Sequence, residues 1–232
     1  MARIKNRMIE NILLLLPGLL LLAMVGTAVG QGTADTIMLP EPRQRSHVSV
    51  EEALRDRRSV RNYSSASLTL ADIAQLLWSA QGVSDARDRR TAPSAGALYP
   101  LELYLVAGNV EALPAGVYQY RPAQHALSRV AVGDKRGGLA RAALRQAWVR
   151  ESPAVIVMTA IYERTTRKYG DRGKRYVNME AGHAAQNIYL QAVPLGLGTV
   201  TVGAFSDGKV KQILDLPENE VPLYLMPVGK TR

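Results

Sequence analysis

A chain of 232 residues, 47% of them hydrophobic, has the size and apolar content of one domain with a sizeable core, which excludes a disordered chain. Its 29 lysines and arginines outweigh 20 acidic residues, a balance that suits an anionic partner, yet a single phenylalanine and the lack of an RNA-reading aromatic pattern argue against a nucleic-acid module. There is no cysteine, and His47, His125 and His183 stand far apart without HExxH spacing, so disulfides and thiolate chemistry are excluded and no metal site is expected.

Residues 1–30 begin with Arg3, Lys5 and Arg7, continue through an apolar run from Ile12 to Val25, and end in the small residues Ala28, Val29 and Gly30. This is the pattern of an export signal, or of a signal anchor that stays in the bilayer, and either reading puts the domain outside the cytoplasm. Residues 31–47, with Pro40 and Pro42, read as an extended linker, so the folded domain is expected over 48–232.

Ser49 with Glu52 makes a capping box that opens a short helix carrying Ala53 and Leu54 inward. That helix delivers Arg57-Arg58-Ser59-Val60-Arg61-Asn62-Tyr63, with three arginines in five residues. Guanidinium forks give charge-assisted hydrogen bonds to phosphate worth about 1.5–3 kcal/mol each, and a hydroxyl fills a remaining acceptor. A solvated basic turn has the same composition, and the cluster alone does not decide between the two.

Thr69 with Asp72 caps a second helix, with Ile73, Leu76, Leu77 and Ala80 inward and Gly82 at its end. After a polar loop, 84–90, the small residues between Thr91 and Pro100 feed a strand from Leu101 to Ala107. Small side chains there let backbone amides approach a planar ligand. Val117–Tyr120 and Leu127–Val132 read as a hairpin, followed by one helix from Lys135 to Trp148 and a buried strand from Ala154 to Ile161.

Glu163 to Arg175 carries Arg164, Arg167, Lys168, Arg172, Lys174 and Arg175 with two glycines, the composition of a mobile loop over a site or of a solvated connection. The stretch Tyr176–Gly203 is the spine of the domain. Val177, Ala181, Ala184, Ala185, Ile188, Ala192 and Leu195 recur every three or four residues, the stripe of a buried helix, with Pro194 in its last turn. Gly196 and Gly198 end it, and Thr199–Val202 alternates as a strand does. Gly196-Leu197-Gly198 is no dinucleotide fingerprint, because it follows a helix and opens a strand. A helix capped by Ser206 runs through Leu214, and Leu223–Val228 makes the last strand.

Taken together, RRSVRNY at 57–63, PSAGALYP at 93–100, EAGHAAQNIYLQA at 180–192, LGLGTVTVGAF at 195–205 and PVGKTR at 227–232 resemble the FMN-dependent nitroreductase superfamily, closest to its SagB/ThcOx-type oxidoreductase branch. The resemblance covers residues 48–232. It implies an α+β fold, a three-layer α/β/α sandwich on a mostly antiparallel sheet, in an interlocked homodimer with FMN at each subunit interface. The implied activity is ping-pong hydride exchange through flavin N5, with NAD(P)H as a diffusing reductant. An exported FMN carrier without turnover is the alternative from another class, and an azoline-oxidising SagB-type dehydrogenase is a further alternative within the resemblance.

By resemblance, Arg57, Arg58 and Ser59 match phosphate and ribityl contacts, and Arg61 matches a basic residue near the flavin's pyrimidine edge. Lys230 and Arg232 match a basic pair at the phosphate. Pro93, Ser94 and Ala95 match the loop that reaches the partner subunit's flavin, and Ala97 stands where many members have Asn, with Gln146 as the candidate substitute. Val202, Gly203 and Ala204 match the strand end facing N5. Azoline-oxidising members carry a Lys-Tyr pair near Arg175-Tyr176, and an Arg is a poor proton acceptor. Tyr176, at the start of the spine helix beside the charged segment, either donates to a bound acceptor, with Arg175 attracting an anionic or quinoid substrate, or merely packs.

Overall fold

A computed structural model of the chain describes residues 36–232, so the expected leader at 1–30 and the start of the linker lie outside the described residues. Among the described residues, seven strands form one sheet: β1 (Thr36–Met38), β2 (Leu101–Ala107), β3 (Gly116–Arg121), β4 (Ala126–Val132), β5 (Ala154–Ala160), β6 (Leu197–Thr199) and β7 (Val221–Lys230). Their order is β1-β4-β3-β2-β5-β7-β6, with antiparallel pairing throughout. The α-helices of the described residues pack on it: α1 (Val50–Asp56), α2 (Leu70–Gln81), α3 (Arg136–Ala142), α4 (Ala147–Glu151), α5 (Glu163–Tyr169), α6 (Arg172–Ala192) and α7 (Asp207–Leu214).

The period of two along a strand divides the core into two layers. On β2, Leu101, Leu103, Leu105 and Ala107 join a cluster with Leu76 and Leu77 of α2 and Val177, Ala181 and Ile188 of α6. Tyr104 and Val106 face the other way, toward Leu139 of α3, Val149 of α4 and Val210 of α7. β5 is buried at all seven positions, as a strand covered on both faces must be. This is the expected α+β sandwich.

Both expected capping boxes are present: Ser49 Oγ accepts from Glu52 N–H at 3.1 Å, and Thr69 Oγ1 accepts from Asp72 N–H at 3.1 Å. The alanines of α6 are buried as its period requires, and Pro194 falls beyond the helix, in a 3-10 turn over Val193–Leu195 that Gly196 ends at φ 66°.

The structure differs from expectation in several places. Leu54, expected inward, is 53% exposed; the strand expected over Thr199–Val202 stands at Leu197–Thr199; and Ser206 sits at the N-cap of α7 without a side-chain cap. The segment read as a linker contributes the edge strand β1, and Arg43 N–H donates to Gln75 Oε1 at 2.7 Å. The helix expected from 135 to 148 is two helices, broken where Leu144 and Arg145 adopt φ of 54° and 61°, a left-handed conformation that no α-helix continues through. The charged segment expected as a loop over the site is largely helical. α5 occupies 163–169, and α6 begins at Arg172, a turn earlier than the apolar stripe indicates.

Candidate functional site

α1 ends at Asp56 with Arg57 as its C-cap, and the chain continues as an extended strap across the free edge of β6. Ser59 bridges Thr199 in parallel, Val60 N–H donates to Thr199 O at 2.9 Å, and Tyr63 bridges Thr231. The strap lies close because residue 198 is glycine: a Cβ there would stand 2.6 Å from Val60 Cβ. Its far end is tied to the C-terminus, where Ser64 N–H donates to Lys230 O at 2.9 Å and Arg232 Nε donates to Tyr63 O at 3.0 Å. Arg57, Arg58, Ser59, Arg61, Lys230 and Arg232 are thereby gathered on one edge of the sheet.

Beneath the strap lies a cavity of about 310 Å³, bounded by Asp56, Arg57, Arg58, Tyr189, Thr199 and Thr231 among others. Arg57 Nε and Thr199 Oγ1 are both buried there without a hydrogen-bond partner. The Arg57 guanidinium stands 5.4 Å from the Tyr189 ring centroid, and Ser59 Oγ is 3.2 Å from Tyr189 Oη. Arg58 behaves differently. Its Nη1 donates to the carbonyls of Arg55 and Arg57 at 2.7 and 2.8 Å, satisfying acceptors that the end of α1 leaves open.

Further along the same edge, Arg61 lies 5.6 Å from the Trp148 ring, whose Nε1 is buried and unpartnered. Gln146 stands at the N-cap of α4 and donates from Nε2 to Ala204 O at 3.3 Å. Val202 exchanges both backbone hydrogen bonds with Leu225, which fixes the segment, while Gly203 and Ala204 after it are exposed. The arginine cluster, Gln146, Val202–Ala204, Lys230 and Arg232 thus belong to one group.

Pro93, Ser94, Ala95 and Ala97 belong to a second group. They lie in a tight turn where Gly96, Ala97 and Tyr99 have φ of 65°, 53° and 44°, held by Tyr99 N–H donating to Ser94 Oγ at 2.9 Å. Arg164 of α5 donates to Tyr99 O at 3.0 Å and pairs with Glu102 at 2.6 Å. Arg90 stacks 4.5 Å from the Tyr99 ring and donates to Gln81 Oε1 at 2.8 Å. Behind the turn is Glu180 of α6, 2% exposed, with Oε1 unpartnered, as is Gln81 Nε2. Burial pushes the Glu180 carboxyl up to about 7, against the pull of Ser94, Arg90 and Gln81 toward the charged form.

Tyr176 lies near this second group, half-buried, its ring 5.3 Å from Tyr169 in an edge contact, and Arg175 is exposed. The side chains against the turn itself are those of α5: a Cβ on Gly96 would be 2.8 Å from Tyr169 Oη and 3.1 Å from Lys168 Nζ. Glu180 and Tyr189, which mark the two groups, are nine residues apart on α6, about 13 Å along its axis. The two groups are thus set apart along α6, and Gln146 stands with the first of them, on Ala204.

Tyr189, Trp148, Glu180 and Tyr169 are not singled out by the sequence, and Lys168 enters it only as one of six basic residues in the charged segment. For Glu180 a signal existed: a carboxylate on the same helical stripe as Val177, Ala181 and Ala184.

The cavity's buried, unpartnered Arg57 Nε, and a lining with two arginines against one acid, Asp56, suit an anionic group, and the open backbone at Gly203–Ala204 suits a flat ring system. These residues fit a phosphate-bearing planar cofactor. The sequence model of the nitroreductase family matches residues 54–230. A nitroreductase of Methanocaldococcus jannaschii is 48% identical over 199 residues, which is 86% of this chain and 98% of that protein. The microcin B17-processing protein McbC of Escherichia coli is 32% identical over 169 residues, 70% of this chain and 62% of that protein. A nitroreductase structure from Ralstonia eutropha superposes with a TM-score of 0.76 at 28% identity, covering 87% of this chain and 92% of that one.

Proposed function

Because the chain belongs to the nitroreductase family, we propose that it is an FMN-dependent oxidoreductase that moves a hydride to or from a small organic substrate, such as a quinone or nitroaromatic, by ping-pong exchange. The observation that carries the cofactor is the buried Arg57 Nε, a charged donor left without a partner at the mouth of a cavity that an anion fits. FMN, when bound, supplies the hydride-accepting and hydride-donating centre.

The chain's own residues do the rest. Arg57 and Ser59 hold the phosphate, with Lys230 and Arg232 adding positive charge from the C-terminal edge. Arg61, steadied by Trp148, offers its charge where negative charge develops on reduction. Gln146 pins Ala204 O, so the backbone at 203–204 keeps one position for the flat ring. The second group, with Ser94 at its centre, serves the site of a partner copy, which makes the working unit a homodimer. NAD(P)H acts as a diffusing reductant, and the N-terminal segment directs the domain out of the cytoplasm.

A second reading is favoured by one observation: Lys168-Tyr169, a Lys-Tyr pair, faces the turn at Gly96. Arg175-Tyr176 matches the Lys-Tyr pair of azoline-oxidising members only in its tyrosine, and an arginine is a poor proton acceptor. Lys168 removes that objection, and oxidation of azolines in peptides is the alternative substrate class.

The test uses the purified full chain. A yellow protein whose flavin is reduced by NAD(P)H and reoxidised by quinones or nitroaromatics in stopped-flow supports the first reading. Turnover confined to thiazoline peptides, with loss in Lys168→Ala, supports the second. Flavin bound without either half-reaction makes the protein a carrier, and a colourless protein that FMN does not reconstitute ends all three.

A further inference from the structure

Tyr189 is 8% exposed and stands where three parts of the candidate site meet: α6, the strap from α1, and the segment that leads to Val202–Ala204. Thr201 N–H donates to Tyr189 Oη at 2.9 Å, which occupies an acceptor position on the phenol oxygen. The phenol's own proton has two acceptors in reach, Ser59 Oγ at 3.2 Å and Thr201 Oγ1 at 3.5 Å. The shorter contact is to Ser59. A serine hydroxyl that receives this proton keeps its own O–H as a donor, free for another group.

The ring of the same residue carries Arg57, whose guanidinium carbon is 5.4 Å from the centroid and whose Nε is buried without a partner. A tyrosine that only filled the core would need one partner for its hydroxyl; this one holds two elements with its oxygen and a cation with its face. The cavity that Arg57 borders contains one acid, Asp56, and Arg55 already takes both of its oxygens, at 2.7 and 3.0 Å. The uncompensated charge there is positive.

We propose that Tyr189 is the positioning residue for anion recognition: its hydroxyl sets Ser59 as a donor while its ring holds Arg57, so that both aim at the phosphate of a phosphorylated flavin. The inference rests on the FMN reading above and adds to it the selection of a phosphorylated flavin over an unphosphorylated one. The hydroxyl is also a better donor than an ordinary tyrosine's. Burial alone would push its pKa up, but hydrogen bonding with Ser59 and Thr201, together with the Arg57 charge, holds it below the usual value.

The test compares FMN and riboflavin binding to the flavin-stripped full chain by quenching of flavin fluorescence, for wild type, Tyr189→Phe and Tyr189→Leu. Wild type should prefer FMN. Phe keeps the ring and loses the hydroxyl, and should weaken FMN about tenfold while riboflavin changes less than about twofold. Leu loses both and should weaken FMN further, to about a hundredfold. A Phe variant that binds FMN as wild type does, or that loses both flavins equally, overturns the role of Tyr189 and leaves the cofactor reading standing. Equal affinity of wild type for the two flavins also overturns it, and wild type that binds neither removes the cofactor reading as well. Should the Leu variant fail to fold by circular dichroism, the Phe comparison decides alone.

Discussion

Two buried glutamates show what the protein does with a carboxylate when it only needs structure. Glu220 is 3% exposed and its oxygens are satisfied by two donors, Thr159 Oγ1 at 2.7 Å and the Tyr104 hydroxyl, whose one proton lies between both oxygens at 3.0 and 3.1 Å. Glu180 is as deeply buried, yet Oε1 has no partner, and burial lifts its pKa to about 7. The linkage follows from that direction. Between the ordinary carboxylate range and about 7, the folded chain keeps a proton that the unfolded chain has lost, so stability falls as pH rises through this window and the loss is complete above it. Glu180→Gln keeps the shape and removes the ionisation. In urea unfolding, the variant should match wild type near pH 5 and exceed it near pH 8 by up to about 3 kcal/mol. Parallel stability curves across that range would mean that Glu180 stays charged, balanced by Arg90.

The strap over β6 depends on the missing side chain of Gly198, because the nearest atoms to a Cβ there are the branched Cβ and Cγ atoms of Val60, which do not swing aside. Gly198→Ala should therefore destabilise the domain by about 1–3 kcal/mol and loosen flavin retention along with it, measured by urea unfolding and by flavin released on dilution; destabilisation with retention intact would show that the strap does not hold the cofactor. How much of this was legible in the sequence depended on range. The capping boxes at Ser49 and Thr69, the stripe of α6 and the strands β2 and β5 are written within a few residues of themselves, and they stand where their pattern placed them. α5 was hidden because charge marks a solvated surface without saying whether the backbone under it is helical. The break between α3 and α4 rests on left-handed Leu144 and Arg145, residues that carry no turn signature. In the candidate site, the arginine cluster was visible as composition, but its arrangement was not, since Tyr189 meets Ser59 across 130 positions of chain.

At the scale of the whole molecule, the six unpartnered buried polar side-chain atoms among the described residues divide as the site does. Arg57 Nε, Trp148 Nε1 and Thr199 Oγ1 accompany the strap, while Gln81 Nε2 and Glu180 Oε1 lie behind the turn at 93–99, with Thr165 Oγ1 on α5. Two incomplete half-sites on one chain suit a pair of chains in which each completes the other. The exposed side of α6 points the same way, with Met179 at 52% exposure and Gly182 one turn on, where nothing lies within 4 Å of an added Cβ. A glycine inside an exposed helix face costs about 1 kcal/mol relative to alanine, and no contact among the described residues requires it. Close approach of a second copy would. Light scattering of the full chain should therefore give a dimer. Gly182→Glu, which relieves the helix but sets a charge and bulk on this face, should give a folded monomer with reduced flavin retention. A variant that stays dimeric and yellow would move the interface off α6, and a wild-type monomer that keeps FMN would leave the second group at 93–99 without the partner site proposed for it.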